Sequence, residues 1–155
     1  MIQALRDHWR DYLIEAWGLG LFMVAAGMAT TVIEYPDSPV PQLIPDAFLR
    51  RMIIGIAMGL TAIAIIYSPW GKRSGAHINP AVTLTFFRLG KIAPWDAGFY
   101  VMAQFSGGLT GIALTAWLIG APFQTPPVNY LVTVPGTDGL LDLLLCAASC
   151  HAAGG

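Results

Sequence analysis

The stretch SGAHINPAVTL, residues Ser74–Leu84, contains the start of a helix. The side-chain oxygen of Asn79 can accept N–H groups of a first helical turn, and Pro80 lacks the N–H that would stay unpaired at the first helical position. Gly90 is expected to end this helix after about Arg88. At ~1.5 Å per residue the helix is about 14 Å long, near half of the ~30 Å hydrocarbon core of a membrane.

A helix of this length begins near the midplane when it lies in a bilayer. The unpaired N–H groups and the positive end of the dipole at its N-terminus are tolerated there only where the backbone lines a cavity. The segment before Asn79 is therefore predicted to re-enter the membrane as a pore loop.

The composition supports a membrane location. Hydrophobic residues make up 55% of the 155 residues, and charged residues make up 11%. A soluble domain carries about 25% charged residues, so this chain cannot cover a globular surface in the usual way. A net charge of −1 without a basic stripe argues against nucleic acid as a partner, and no motif indicates a cofactor.

Three apolar runs are predicted to cross the membrane as helices: Tyr12–Ile33, Met52–Tyr67 and Trp95–Ile119. The connection Glu34–Phe48 is rich in proline, which argues against a helix there. Turn residues in Ser68–Arg73 predict a turn after the second run.

Small residues in the second and third runs predict close helix packing. Gly55 and Gly59 form a small-xxx-small pattern in the second run. The third run carries small and polar residues that are expected to face the protein interior together, namely Gln104, Ser106, Gly107, Gly108, Thr110 and Gly111.

Glu15 is the one charged residue within the first run. It lies only four residues into the run, so its side chain can extend toward the membrane edge and place the carboxylate in water. Alternatively it faces inward and accepts hydrogen bonds from fixed donors, because a carboxylate inside a membrane needs a partner. The position alone slightly favours the membrane edge.

Lysine and arginine are distributed unequally between the two ends of the predicted spans. With the N-terminus inside, two of them, Arg50 and Arg51, lie outside, and six lie inside, namely Arg6, Arg10, Lys72, Arg73, Arg88 and Lys91. The positive-inside rule therefore predicts a multi-pass cell-membrane protein with a cytoplasmic N-terminus. The segment Ala121–Gly139 has no lysine or arginine, as expected of an external loop.

Residues 140–155 are apolar but too few to span convincingly, and they are predicted to be an incomplete fourth helix or an aberrant tail. Cys146, Cys150 and His151 lack a further ligand, so no metal site is predicted. His77 has no nucleophile or carboxylate at a recognisable catalytic spacing, which argues against an enzyme.

The stretch Ser74–Leu84 resembles the first signature loop of the major intrinsic proteins, the aquaporin and glycerol-facilitator family. Glu15 with the glycine-rich run after it, and Ala103–Gly108 (AQFSGG), are also similar to that family. The resemblance implies an all-α membrane fold with three transmembrane helices and a re-entrant half-helix. In the family this unit is repeated upside down, so that two Asn-Pro-Ala loops meet at the midplane, usually within a tetramer.

The resemblance also implies roles for individual residues. Asn79, Pro80 and Ala81 match the Asn-Pro-Ala motif, in which the asparagine donates to a passing water or glycerol and the other two residues seat the half-helices against each other. Glu15 and Gln104 match residues that support the loop, which favours the inward orientation of Glu15. The residues implied to line the pore are Asn79, Gly75, Ala76, His77, Ile78 and, near the narrow filter, Met58.

The sequence contains one Asn-Pro-Ala motif, so residues 1–139 are expected to match the N-terminal half of a channel domain. One predicted function is a channel for passive transport of water or small neutral solutes such as glycerol. Its partners would be the lipid bilayer, the solute, and further copies of the chain or a full-length relative. The alternative is a truncated, non-conducting fragment that only associates with full-length relatives.

Overall fold

The computed structural model describes residues 2–132, over which helices are joined by short connections. The predictions for residues 140–155, including Cys146, Cys150 and His151, lie outside this range. The helices are α1 (Ile2–Glu34), α2 (Pro39–Leu43), α3 (Ala47–Tyr67), α4 (Pro69–Ser74), α5 (Pro80–Arg88), α6 (Pro94–Ile119) and α7 (Ala121–Gln124), followed by a 3-10 turn at Asn129–Leu131.

Helices α1, α3 and α6 are long and apolar enough to cross a membrane, which confirms the predicted all-α membrane fold with three spans. α1 begins at Ile2, so the polar N-terminal residues are helical as well. α3 begins five residues before the predicted apolar run, because the Asp46 carboxylate accepts hydrogen bonds from the N–H groups of Phe48 (2.7 Å) and Leu49 (3.0 Å).

The half-helix α5 has the predicted bounds. The Asn79 side-chain oxygen accepts the Ala81 N–H at 2.8 Å, and Pro80 occupies the first position. At the other end Gly90 adopts a φ of 68°, and the Lys91 N–H reaches back to the Phe86 carbonyl at 3.0 Å. A left-handed residue after the last turn stops a helix in this way, and glycine adopts that conformation without steric cost.

Two connections that were predicted to be irregular contain short helices, so those predictions were wrong. In both, a serine hydroxyl caps a helix whose first residue is proline: Ser38 before Pro39 and Ser68 before Pro69. The N–H groups of a first turn have no partner within their own helix, so proline at the first position removes no helical hydrogen bond.

The close packing of α1 on α6 forms the centre of the bundle. A Cβ added at Gly107 would overlap the Ala16 carbonyl, and one added at Gly111 would overlap the backbone of Gly20. The two helix backbones therefore touch, as glycines allow in membrane helices.

The inward prediction for the third run is correct for Gln104, Gly107, Gly108 and Gly111, which are buried. It is wrong for Ser106 and Thr110, which are exposed and donate their hydroxyls to carbonyls four residues earlier in α6. At 100° per residue the buried positions form one stripe, and positions 106 and 110 lie to one side of it, where they line an open cavity against α1 with Gly107 and Gly111.

The small-xxx-small pattern of α3 does not pack against a helix within the described range. A Cβ added at Gly55 or Gly59 would meet no described atom within 4 Å. α3 contacts α1 along one edge, where its Ile65 is buried, and it exposes most of its remaining surface.

Candidate pore loop

The segment between α4 and α5, residues 75–79, has an unusual backbone. Gly75 has a φ of 91°, Ala76 of 44° and Ile78 of 39°. The left-handed region is unfavourable for alanine and more so for a β-branched residue, at a cost on the order of 1–3 kcal/mol each. Such a conformation persists only where surrounding contacts hold it.

Glu15 supplies the central contact. Its Oε1 accepts hydrogen bonds from the Ser74 hydroxyl (2.8 Å) and the His77 N–H (3.0 Å), and its Oε2 accepts from the Ile78 N–H (2.6 Å) and the Gln104 Nε2 (2.9 Å). The side chain is fully buried. The inward orientation and the expected hydrogen bonds to the loop are therefore present, and the membrane-edge orientation is excluded.

Gln104 and Thr83 extend this network to α6 and α5. Gln104 Nε2 also lies 2.9 Å from the Thr83 hydroxyl, which in turn lies 3.3 Å from His77 Nδ1. Both side chains are fully buried. One network thus connects α1, the loop, the half-helix and α6, and every buried polar side-chain atom in residues 2–132 has a partner.

Ser74 and Tyr100 hold the start of the loop. The Ser74 hydroxyl accepts the Ala76 N–H at 3.2 Å, and the Tyr100 hydroxyl donates to the Ser74 carbonyl at 3.0 Å. Gly18 leaves space for the loop, because a Cβ there would lie 2.9 Å from the Ile78 side chain. The His77 ring stacks on Phe86 at 5.0 Å and therefore packs among the helices.

The hydrogen-bond network leaves one set of polar groups free. Among residues 2–132, no donor bonds to the carbonyl oxygens of residues 75–78, and no acceptor receives the NH₂ group of Asn79. Asn79 is exposed, and residues 76–78 are half-buried. A row of free acceptors therefore precedes a free donor at the N-terminus of a half-helix. Met58 is half-buried on α3 and is not part of the network.

The sequence predicts donors to Glu15 within residues 74–79, which include Ser74, but it does not indicate Thr83 and Tyr100 as members of the network. The spacing gives a signal for Thr83, which lies four residues after Asn79 and so one turn along the same face of α5. Nothing local to Tyr100 indicates its contact, because its partner is 26 residues away.

The charged residues lie at the two ends of the bundle. At one end Asp96 accepts from the Tyr12 hydroxyl (2.6 Å) and lies 3.1 Å from His8 Nδ1, while Arg73 donates to Asp11 at 3.1 Å. At the other end Arg50 pairs with Glu34 at 3.1 Å. Among residues 2–132, Glu15 is thus the one charged side chain in the middle of the bundle.

The family model described as Major intrinsic protein matches residues 3–136. The aquaglyceroporin AqpS of Rhizobium meliloti is 30% identical over 152 residues, which are 94% of this chain and 62% of that protein. Aquaporin-5 of Rattus norvegicus is 38% identical over 106 residues, 65% of this chain and 39% of that protein. Aquaporin NIP1-1 of Arabidopsis thaliana is 36% identical over 99 residues, 64% of this chain and 30% of that protein.

The chain thus spans less than two thirds of the length of each of these relatives. No solved structure matches the chain significantly.

Proposed function

Since the chain belongs to the major intrinsic protein family, we propose that it forms one wall of a membrane channel for water or small neutral solutes such as glycerol. The observation that carries this proposal is the set of free polar groups on the loop. The carbonyls of residues 75–78 accept hydrogen bonds and the Asn79 amide donates one, and water and polyols can do both.

The charges around the loop favour a neutral solute. The N-terminus of α5 presents the positive end of a helix dipole beside Asn79, which disfavours cations. The Glu15 carboxylate is fully buried behind the loop, and its hydrogen bonds are directed to the protein. A solute at the free carbonyls would therefore meet dipoles rather than an exposed charge.

The site residues have separate roles in this proposal. Asn79 and the carbonyls of Gly75, Ala76, His77 and Ile78 contact the solute, while Pro80 and Ala81 begin the half-helix and pack against the opposite wall. Met58 narrows the path from α3. Glu15 and Gln104 act through the loop, whose strained backbone they hold in place.

The proposed location is the cell membrane, with a cytoplasmic N-terminus. The end of the bundle that carries the N-terminus of α1 also carries Arg73, bonded to Asp11, and Lys91, which lines a cavity with His8. The opposite end carries Arg50 and Arg51 at the start of α3. The positive-inside rule then places the N-terminal end in the cytoplasm.

The opposite wall of the path is proposed to come from another protein surface, either a further copy of this chain or a full-length relative. Residues 2–132 provide one loop and one half-helix, and the apolar surface of α3 is largely exposed. Free carbonyls inside a bilayer cost several kcal/mol each unless water or protein covers them.

The test is osmotic water and glycerol flux in proteoliposomes, measured by light scattering. We expect the chain alone to give shrinkage no faster than empty vesicles, because the described residues line only one side of a path. A chimera of the Rhizobium meliloti relative, in which residues 2–132 replace only the part of that protein that aligns with them, is expected to accelerate flux. A chimera that inserts and folds but passes neither solute would overturn the proposed function.

A further inference from the structure

A surface groove lies between α1 and α4, and no residue of the loop 75–79 lines it. It has a volume of about 310 Å³ and is lined by Leu13, Ile14, Trp17 and Trp70. The two indole rings meet edge to face with centroids 5.3 Å apart, and about half of each tryptophan is exposed. The groove is therefore a preformed apolar slot that no described residue fills.

Arginines lie on α1 and α4 beyond the groove, toward the end of the bundle, and the Arg10 guanidinium lies over the Trp9 ring at 5.4 Å from its centroid. Arg10 and Arg6 precede Ile14 by one and two turns on the same face of α1, and Arg73 follows Trp70 by one turn on α4. All three arginines are exposed. Two carboxylates, Asp7 and Asp11, lie among them, and Asp11 already accepts a hydrogen bond from Arg73 Nε at 3.1 Å.

We propose that this groove binds an anionic glycerophospholipid, with an acyl chain along Leu13, Ile14 and the exposed faces of Trp17 and Trp70 and the phosphate on the guanidinium groups of Arg6 and Arg10. The apolar part of the site would contact the acyl chains of such a lipid, and the cationic part beyond it would contact the anionic phosphate. Tryptophan is favoured at the membrane interface, where one end of its ring is apolar and the other is wet. A guanidinium binds phosphate with two parallel hydrogen bonds.

A second copy of the chain fits this groove less well. Most closed dimers place the same surface patch of each subunit against its equivalent. Such a contact here would bring Arg6 and Arg10 of one copy toward the same cations of the other. In a head-to-tail contact between parallel copies, Asp11 and Asp96 at this end already bond to Arg73 and Tyr12, so an anionic lipid complements the charge of the arginines better than a second copy does.

The test measures tryptophan quenching by brominated lipids. The full chain, with Trp9, Trp95 and Trp117 replaced by phenylalanine, keeps Trp17 and Trp70 as the only emitters, since the sequence has five tryptophans. It is reconstituted in phosphatidylcholine vesicles that contain a small fixed fraction of either brominated phosphatidylglycerol or brominated phosphatidylcholine. The relative association constant is expected to favour phosphatidylglycerol about fivefold, the size of effect that one basic residue near an anionic surface provides.

Two double variants distinguish binding at this site from a general effect of positive surface charge. Arg6→Gln with Arg10→Gln is expected to reduce the preference at least threefold, whereas Arg88→Gln with Lys91→Gln, which removes the same charge elsewhere, is expected to retain it. Equal quenching by the two lipids in the parent chain would overturn the proposal whether or not the variants fold, and so would an equal loss of preference in both variants. Neither readout depends on solute flux, so failure here is distinguishable from failure of the proposed channel.

Discussion

Replacing Glu15 by glutamine keeps the shape of the side chain and removes its charge. The carboxylate accepts four hydrogen bonds, two at each oxygen, from Ser74, His77, Ile78 and Gln104. Glutamine has one acceptor oxygen, so two of these donors would face an NH₂ group instead. Because hydrogen bonds to a charged group contribute about 1.5–3 kcal/mol each and two are lost, we expect Glu15→Gln to lower the free energy of unfolding by about 3–6 kcal/mol.

The free energy of unfolding is measured by titrating detergent-solubilised protein with SDS and following helix content by circular dichroism. Glu34→Gln is the matched control, because it makes the same chemical change on the same helix at the ion pair with Arg50. Arg50 keeps its hydrogen bonds to the Ile44 and Pro45 carbonyls when that pair is lost, so the expected cost is about 1.5–3 kcal/mol, the contribution of one hydrogen bond between charged groups. If Glu15→Gln destabilises the protein no more than Glu34→Gln does, the carboxylate does not hold the loop and our reasoning is refuted.

Two further predictions use the same titration. Gly107→Ala is expected to destabilise the bundle by about 1–3 kcal/mol, because its methyl group would overlap the Ala16 carbonyl. Gly98→Ala on the same helix meets open space and is expected to stabilise the bundle by about 0.5–1 kcal/mol. Equal effects of the two substitutions would contradict the close α1–α6 contact. Asn79→Ala is expected to lower the free energy of unfolding by about 1 kcal/mol, because the helix cap on the Ala81 N–H is lost. Asn79→Asp can still cap this N–H and is expected to lower it clearly less. The reverse order would show that the cap is not the main contribution of Asn79 to stability.

The half-helix and its position could be predicted from sequence because its signals are local. Asn79 and Pro80 begin it and Gly90 ends it, and each of these residues acts within one turn of its own position. The orientation of Glu15 could not be derived from its position alone. Its donors are 59 or more residues away in the chain, and it was the resemblance to a family that favoured the inward side.

The errors have a common physical cause. Residue type alone predicts that Ser106 and Thr110 face inward with Gly107, but their positions around α6 lie beside the buried stripe, where both residues are exposed. The prolines of Glu34–Phe48 predict no helix and the residues Ser68–Arg73 predict a turn, but Pro39 and Pro69 each occupy the first position of a short helix. In each case the angle or the position within a turn determines the outcome, and the residue type alone does not.

The most direct test of the central claim is the solute flux of the chimera with and without Asn79→Asp. Aspartate keeps the helix cap and removes the only side-chain donor that we place on the solute path. We predict that the parent chimera shrinks vesicles faster than empty controls and that Asn79→Asp, with unchanged helix content and insertion, abolishes most of that increase. If the Asn79→Asp chimera conducts as well as the parent, the free amide of Asn79 and the carbonyls before it do not form the solute path.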